Sequence, residues 1–164
     1  MHKLNLDHTH FAGLSEEVLG RGNSFTFKAK GSSMQPFIRH GDQLTVEPVV
    51  PSAVEAGDIV FCKLSHNRII VHRIVGRQKS PDADYLLLRG DGLHQGTQYI
   101  TNEQVLGRIV QVVREDTIIN IDTNTYRLRV FFWVKTYPLS SFFYFLPGRV
   151  LRKCAQFLPS LRLR

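Results

Sequence analysis

Residues 24–114 predict a mainly β domain, a sheet closed or coiled into a barrel, and three features of the sequence carry that prediction. Apolar and polar side chains alternate in short runs, other runs are continuously apolar, and clusters of turn-forming residues separate them at regular intervals. Phe25, Phe27 and Ala29 alternate with Thr26, Lys28 and Lys30; Gln43 to Glu47 alternates again; Asp58 to Leu64 is a short apolar run. His40-Gly41-Asp42, Glu55-Ala56-Gly57-Asp58, Ser65-His66-Asn67 and Ser80-Pro81-Asp82 have turn chemistry, and runs at 85–88 and 105–113 complete the set.

Ahead of the sheet, residues 11–21 predict a short amphipathic helix, with Phe11, Leu14, Val18 and Leu19 on one face and Glu16 and Glu17 pointing away. Gly20 and Gly22 end it. One helix of that length is too little for a DNA-reading helix-turn-helix, which needs two packed helices. Behind the sheet, residues 130–146 are rich in Phe, Tyr and Trp but broken by Lys135 and Pro138, so they predict an interfacial helical tail rather than a spanning helix. Arg149, Arg152 and Lys153 follow and would suit an anionic leaflet. Packing of these aromatics on the barrel, or a dimer contact, is the competing reading. The organisation expected is a helical lead at 1–23, a β domain at 24–114 and a C-terminal extension at 115–164.

Charge and cysteine usage narrow the function classes. With 164 residues and 43% hydrophobic content, the chain can bury one core and append a tail. The net charge of +7 is concentrated after Asp122, where no acidic residue occurs. A basic, aromatic tail of this kind points to a membrane surface more than to nucleic acid, and no nucleic-acid partner is expected. Cys62 and Cys154 give neither a metal spacing nor a disulfide framework, and His8, His10, His40, His66 and His94 share no ligand spacing, so neither metal nor cofactor is expected. Residues 1–7 have no apolar core of signal-peptide length. Peripheral membrane association is the localisation expected, with a cytoplasmic protein as the alternative.

The chemistry centres on Gly31-Ser32-Ser33-Met34-Gln35-Pro36, which presents a serine at a bend leaving the first strand. A serine hydroxyl is nearly inert at neutral pH until a base takes its proton. The candidate base is His72, in a β-branched strand that it and Arg73 interrupt. An imidazole with an ordinary pKa of about 6.5 is already mostly neutral at pH 7, so it needs orienting more than desolvating.

Taken in order, the serine box, Gly41-Asp42, Gly57-Asp58-Ile59-Val60, Val71-His72-Arg73, Arg89-Gly90-Asp91 and Leu106-Gly107-Arg108-Ile109-Val110 resemble the type I signal peptidases and their LexA-like relatives. The resemblance implies a coiled β-barrel serine peptidase in which Ser33 is the nucleophile. His72 followed by Arg73 is similar to the histidine-base branch, archaeal and endoplasmic-reticulum-like, whereas the bacterial enzymes and LexA use lysine. Asp91 matches the family's Gly-Asp box and is the candidate to orient His72, although asparagine usually follows in that box and Gly92 stands here. The backbone N–H of Ser33 could stabilise the oxyanion.

Each assignment has a structural competitor: Ser33 as a turn cap, His72 as a satisfied core histidine, Asp91 as a turn residue. For Asp42 and Asp58 the structural role is the expected one. Phe27, Ala29, Met34 and Pro36 are candidates for the substrate groove, with an extended peptide or precursor protein bound along residues 27–30 and cleaved after small side chains. A LexA-like self-cleaving regulator and a non-catalytic peptide-binding module of the same fold are the alternatives.

Overall fold

The computed structural model describes residues 8–81, 83–92 and 96–121, and positions 123, 126, 128, 130 and 132 beyond them. Helix α1 spans His8–Gly20 and is followed by eight strands: β1 Phe25–Lys28, β2 Gln43–Glu47, β3 Ile59–Lys63, β4 Ile69–Lys79, β5 Asp84–Arg89, β6 Gln98–Thr101, β7 Val105–Arg114 and β8 Thr117–Asn120. They form one sheet in the order β1-β2-β7-β3-β4-β5-β6, with β8 added to β7. Every pairing is antiparallel and the sheet curls into a half-barrel. The predicted mainly β fold with a leading helix is therefore the observed one.

The curl comes from irregularities in the pairing. Register shifts fall between Thr45 and Val46, between Phe61 and Cys62, and between Ile74 and Gly76. Each extra residue bends its strand and increases the local twist. The last shift lies on β4 just past His72 and Arg73, where the strand turns away from β3.

Two apolar clusters form the core, one on each face of β3. Ile59 and Phe61 join Leu44, Val46, Ile109 and Val112 in the first, while Val60 and Cys62 join Ile74, Leu86, Leu88 and Ile100 in the second. A strand buried on both faces must be apolar at every position, which is why β3 reads as a run rather than an alternation.

Helix α1 closes the first cluster. The Phe11 ring meets Phe25, Phe27 and Phe61 with centroids 6.2, 5.6 and 6.1 Å away, and Phe27 and Phe61 lie 5.5 Å apart. The helix begins earlier than its apolar periodicity indicated and presents a rotated face: Ala12, Ser15 and Leu19 are buried, whereas Leu14 is 44% exposed. Ser15 tolerates burial because its hydroxyl donates to the Phe11 carbonyl at 2.6 Å, leaving no polar atom for the core to satisfy.

Strands β6 and β8 are additions to the predicted set. Both are short and carry too few apolar side chains to register as runs; β8 is held by a tight turn in which Glu115 and Asp116 have φ of 47° and 63°, so the sheet extends beyond residue 114. After it, Tyr126, Leu128, Val130 and Phe132 are helical, with Tyr126 packed on the first cluster and Val130 buried. Residues 133–164, and with them most of the aromatic stretch, the basic residues after it and Cys154, lie outside the described residues. Among the described residues no helix is long and apolar enough to cross a membrane.

Phe61→Ala removes the ring at the centre of the aromatic contacts and is expected to cost about 3–5 kcal/mol. A urea denaturation series checks this; a midpoint unchanged from the parent protein would show that the aromatic cluster does not hold α1 to the sheet.

Candidate active site

The site is built where two loops meet at one end of the sheet. The loop between β1 and β2 is pinched at its neck by Ala29 N–H to the Asp42 carbonyl at 2.8 Å and Gly41 N–H to the Ala29 carbonyl at 2.9 Å. Gly31 takes φ of +95°, a conformation side chains disfavour, and turns the chain into Ser32 and Ser33. Within the loop, Gln35 N–H donates to the Ser32 carbonyl and Ile38 N–H to the Met34 carbonyl.

Asp42 and Arg114 fasten this loop to β7. The Arg114 guanidinium donates to both Asp42 oxygens at 2.9 and 2.7 Å and to the Phe37 carbonyl at 3.0 Å, and Arg39 N–H donates to Asp42 at 2.7 Å. Burial alone would raise the Asp42 carboxyl, but the bonds from Arg114 and Arg39 outweigh it and hold the group below its ordinary value. Asp58 likewise accepts from Glu55 N–H at 2.8 Å. The structural roles expected of Asp42 and Asp58 are the ones seen.

The second loop, after β5, carries Asp91. It touches the serine loop through Gly92, whose N–H donates to the Ser33 carbonyl at 2.8 Å. A methyl group at Gly92 would lie 2.9 Å from the Ser32 carbonyl oxygen and 3.0 Å from that of Gln35, so only glycine allows the two loops this approach.

His72 and Arg73 sit side by side on β4 and face opposite ways, as neighbours on a strand must. Arg73 is 0% exposed. Its Nε and one terminal nitrogen donate to the two oxygens of Asp91 at 2.8 and 2.7 Å, and its other terminal nitrogen donates to the Gly57 carbonyl at 2.6 Å. The guanidinium also lies 5.1 Å from the Phe37 ring centroid and 3.5 Å from the Tyr126 hydroxyl. Burial holds the Asp91 carboxyl above its ordinary value against the pull of the paired guanidinium, and the Arg73 pKa is raised by the same partner against burial.

His72 pairs with Val60 of β3 and faces the side of the second apolar cluster. It is 7% exposed and its Nδ1 is buried without a hydrogen-bond partner. Burial lowers its pKa from the ordinary value; the Gln98 amide and then the Asp91 carboxylate act against that lowering, and Arg68 adds to it. The carboxylate–imidazole hydrogen bond expected of Asp91 is not the bond made: both Asp91 oxygens are engaged by Arg73, because a fully buried guanidinium requires a bidentate acceptor. Asp91 reaches His72 through its field.

The structure thus joins the Ser33 loop to the Asp91 loop through Gly92, and Asp91 is near enough to His72 for its charge to act on the ring. Of the groove candidates, Ala29 and Met34 are buried in the first cluster, Phe27 is half-buried in the aromatic contacts, and Pro36 is half-buried on the serine loop. Arg73, Gln98 and Tyr126 were given no role from the sequence. Arg73 had a signal: an always-charged side chain in the middle of a buried strand needs a partner. Among the described residues no group of three or more His, Cys, Asp and Glu side chains is placed to hold a metal ion.

The family model described as Peptidase S24-like matches residues 3–110, which takes in α1 and the sheet into β7. A comparison with curated proteins finds no match.

Removing one member of the buried pair strands the other charge. Asp91→Leu is expected to destabilise the protein by about 3–5 kcal/mol, and the double change Arg73→Met with Asp91→Leu by less than the sum of the two single changes. Chemical denaturation of the four proteins measures the coupling, and strictly additive losses would mean that the pair does not act as a unit.

Proposed function

Because the chain belongs to the Peptidase S24-like family, we propose that it is a serine endopeptidase of signal-peptidase type, with Ser33 as nucleophile and His72 as general base. The observation that carries this reading is the contact of the serine loop with the Asp91 loop, together with a buried histidine whose pKa burial holds below its ordinary value and on which the Asp91 charge acts. In the reaction Ser33 Oγ attacks the peptide carbonyl carbon while His72 takes the hydroxyl proton. The tetrahedral oxyanion faces the backbone N–H of Ser33. Collapse expels the amine, which receives the proton from His72, and water then hydrolyses the acyl-enzyme by the same steps.

Asp91 contributes as a fixed negative charge. It favours the imidazolium that forms during attack, and its bond to Arg73 keeps it from swinging away. Histidine in place of lysine suits this site, since a ring already neutral at pH 7 needs no further desolvation to act as base.

The substrate binds extended. β1 pairs only with β2 among the described strands, so its outer edge has backbone groups to offer a peptide entering alongside residues 27–30, toward Ser33. Small side chains on either side of the cut follow from the family resemblance. Peptides with alanines at those positions are expected to be cut at least about tenfold faster than the same peptides with bulky residues, and equal rates would remove this specificity from the reading.

The direct test is labelling by a serine-reactive phosphonate. The parent protein is expected to react, Ser33→Ala not at all, and His72→Ala about 10²–10⁴-fold more slowly. Because burial lowers the His72 pKa, the base stays neutral to more acid pH than a free imidazole, so the acid limb of the labelling rate should have its midpoint below about 6.5. A folded parent protein that fails to label while a control hydrolase reacts would favour a non-catalytic peptide-binding module instead. Two fragments appearing on storage and absent from Ser33→Ala would identify the self-cleaving variant of the same chemistry.

A further inference from the structure

Two buried polar atoms near the site lack partners: Nδ1 of His72 and Oε1 of Gln98. They belong to neighbouring side chains. Gln98 of β6 is opposite Leu88 of β5, which is opposite Ile74 of β4, and His72 is two residues along β4 from Ile74 on the same face. The Gln98 amide is close enough to act on the imidazole, yet neither atom is in hydrogen-bond geometry with a partner.

We propose that Gln98 is the positioning residue of His72: its side-chain carbonyl accepts the Nδ1 proton and thereby leaves Nε2 as the unprotonated nitrogen that takes the proton from Ser33. The inference rests on the reading of His72 as the base. Asp91 cannot readily take this part, because Arg73 occupies both of its oxygens and lies on the opposite face of β4. An amide oxygen can only accept, whereas a neutral imidazole nitrogen can carry its ring's one proton. Pairing the two orphans satisfies both atoms in one arrangement alone, with the proton on Nδ1. That is the tautomer a general base needs, since an imidazole protonated on Nε2 has nothing there to receive the serine proton.

A neutral amide differs from a carboxylate in what it does to the charge. It fixes the ring without stabilising the imidazolium as strongly, and leaves that to Asp91, which favours the charged ring, against Arg68, which opposes it. Orientation and electrostatic support are divided between two residues.

The test reads the tautomer directly. The full chain, labelled with ¹⁵N-histidine, is examined by long-range ¹H–¹⁵N correlation above the titration of His72, with His72→Ala assigning its signals among the seven histidines. The parent protein is expected to show the proton on Nδ1. Gln98→Leu is expected to move it to Nε2 or to a mixture of the two forms, slow phosphonate labelling at its pH plateau by at least about tenfold, and shift the acid limb to lower pH. Gln98→Glu keeps an acceptor, so the proton should return to Nδ1 and the His72 titration should rise above that of the parent. A parent protein with the proton on Nε2, or a folded Gln98→Leu variant that keeps both the Nδ1 proton and the parent labelling rate, overturns the proposal. The two readings fail separately: loss of Ser33-dependent labelling in the parent removes the peptidase, while the tautomer is measured without turnover and decides the role of Gln98 toward the ring.

Discussion

The structure depends on one buried ion pair. Arg73 and Asp91 are held in an interior where an unpaired charge would be far too costly, so each makes the other obligatory. Such a pair is a poor source of net stability, since desolvation of both ions offsets much of their attraction. Its value is geometric. A planar guanidinium engaged through two nitrogens fixes distance and angle together, and the remaining nitrogen ties the Gly57 carbonyl to the same point. Three stretches far apart in sequence, the middle of β4, the loop after β5 and the turn before β3, are thereby locked to one another.

The serine loop inherits that order. Asp91 fixes Gly92, and Gly92 holds the Ser33 carbonyl from one side. From the other side a second arginine fork, Arg114 on Asp42, secures the descending part of the loop and also reaches the Phe37 carbonyl. Phe37 in turn meets Tyr126 edge-on, with ring centroids 5.6 Å apart, and lies under the Arg73 guanidinium, so the two forks share a wall. A serine loop clamped at both ends holds its backbone in one arrangement, which is the preorganisation that the proposed reaction requires.

The alternation of β4 separates two tasks. One residue turns an anchoring charge toward the first cluster, and its neighbour turns a titratable ring toward the second. Neither can be moved by one position without exchanging their faces. The bulge just beyond them lets the strand depart toward β5 after the pair has been placed, and the aromatic lid of α1 keeps water from the cluster beneath.

Much of this was legible in the chain. Side-chain alternation marked β1 and β2, the runs at 58–64 and 105–113 marked β3 and β7, and the order of the boxes pointed to the family that matches residues 3–110. The face of α1 was misjudged because Ser15 hides its hydroxyl on its own helix, which hydropathy cannot register. β6 and β8 escaped notice because their stability comes from pairing with longer neighbours rather than from their own residues. The partner of Asp91 was hidden for a deeper reason. Whether His72 or Arg73, adjacent on β4, meets the Asp91 carboxylate depends on the face each presents and on how the sheet curls. The sequence by itself determined the fold class, the family and the residue types available for chemistry, since those follow from local periodicity and from motif order. The tertiary structure alone decided that Asp91 serves Arg73, that Gly92 meets the serine loop and that Gln98 lies beside His72, because side-chain partnership across strands is set by register and curvature, and no local pattern encodes either.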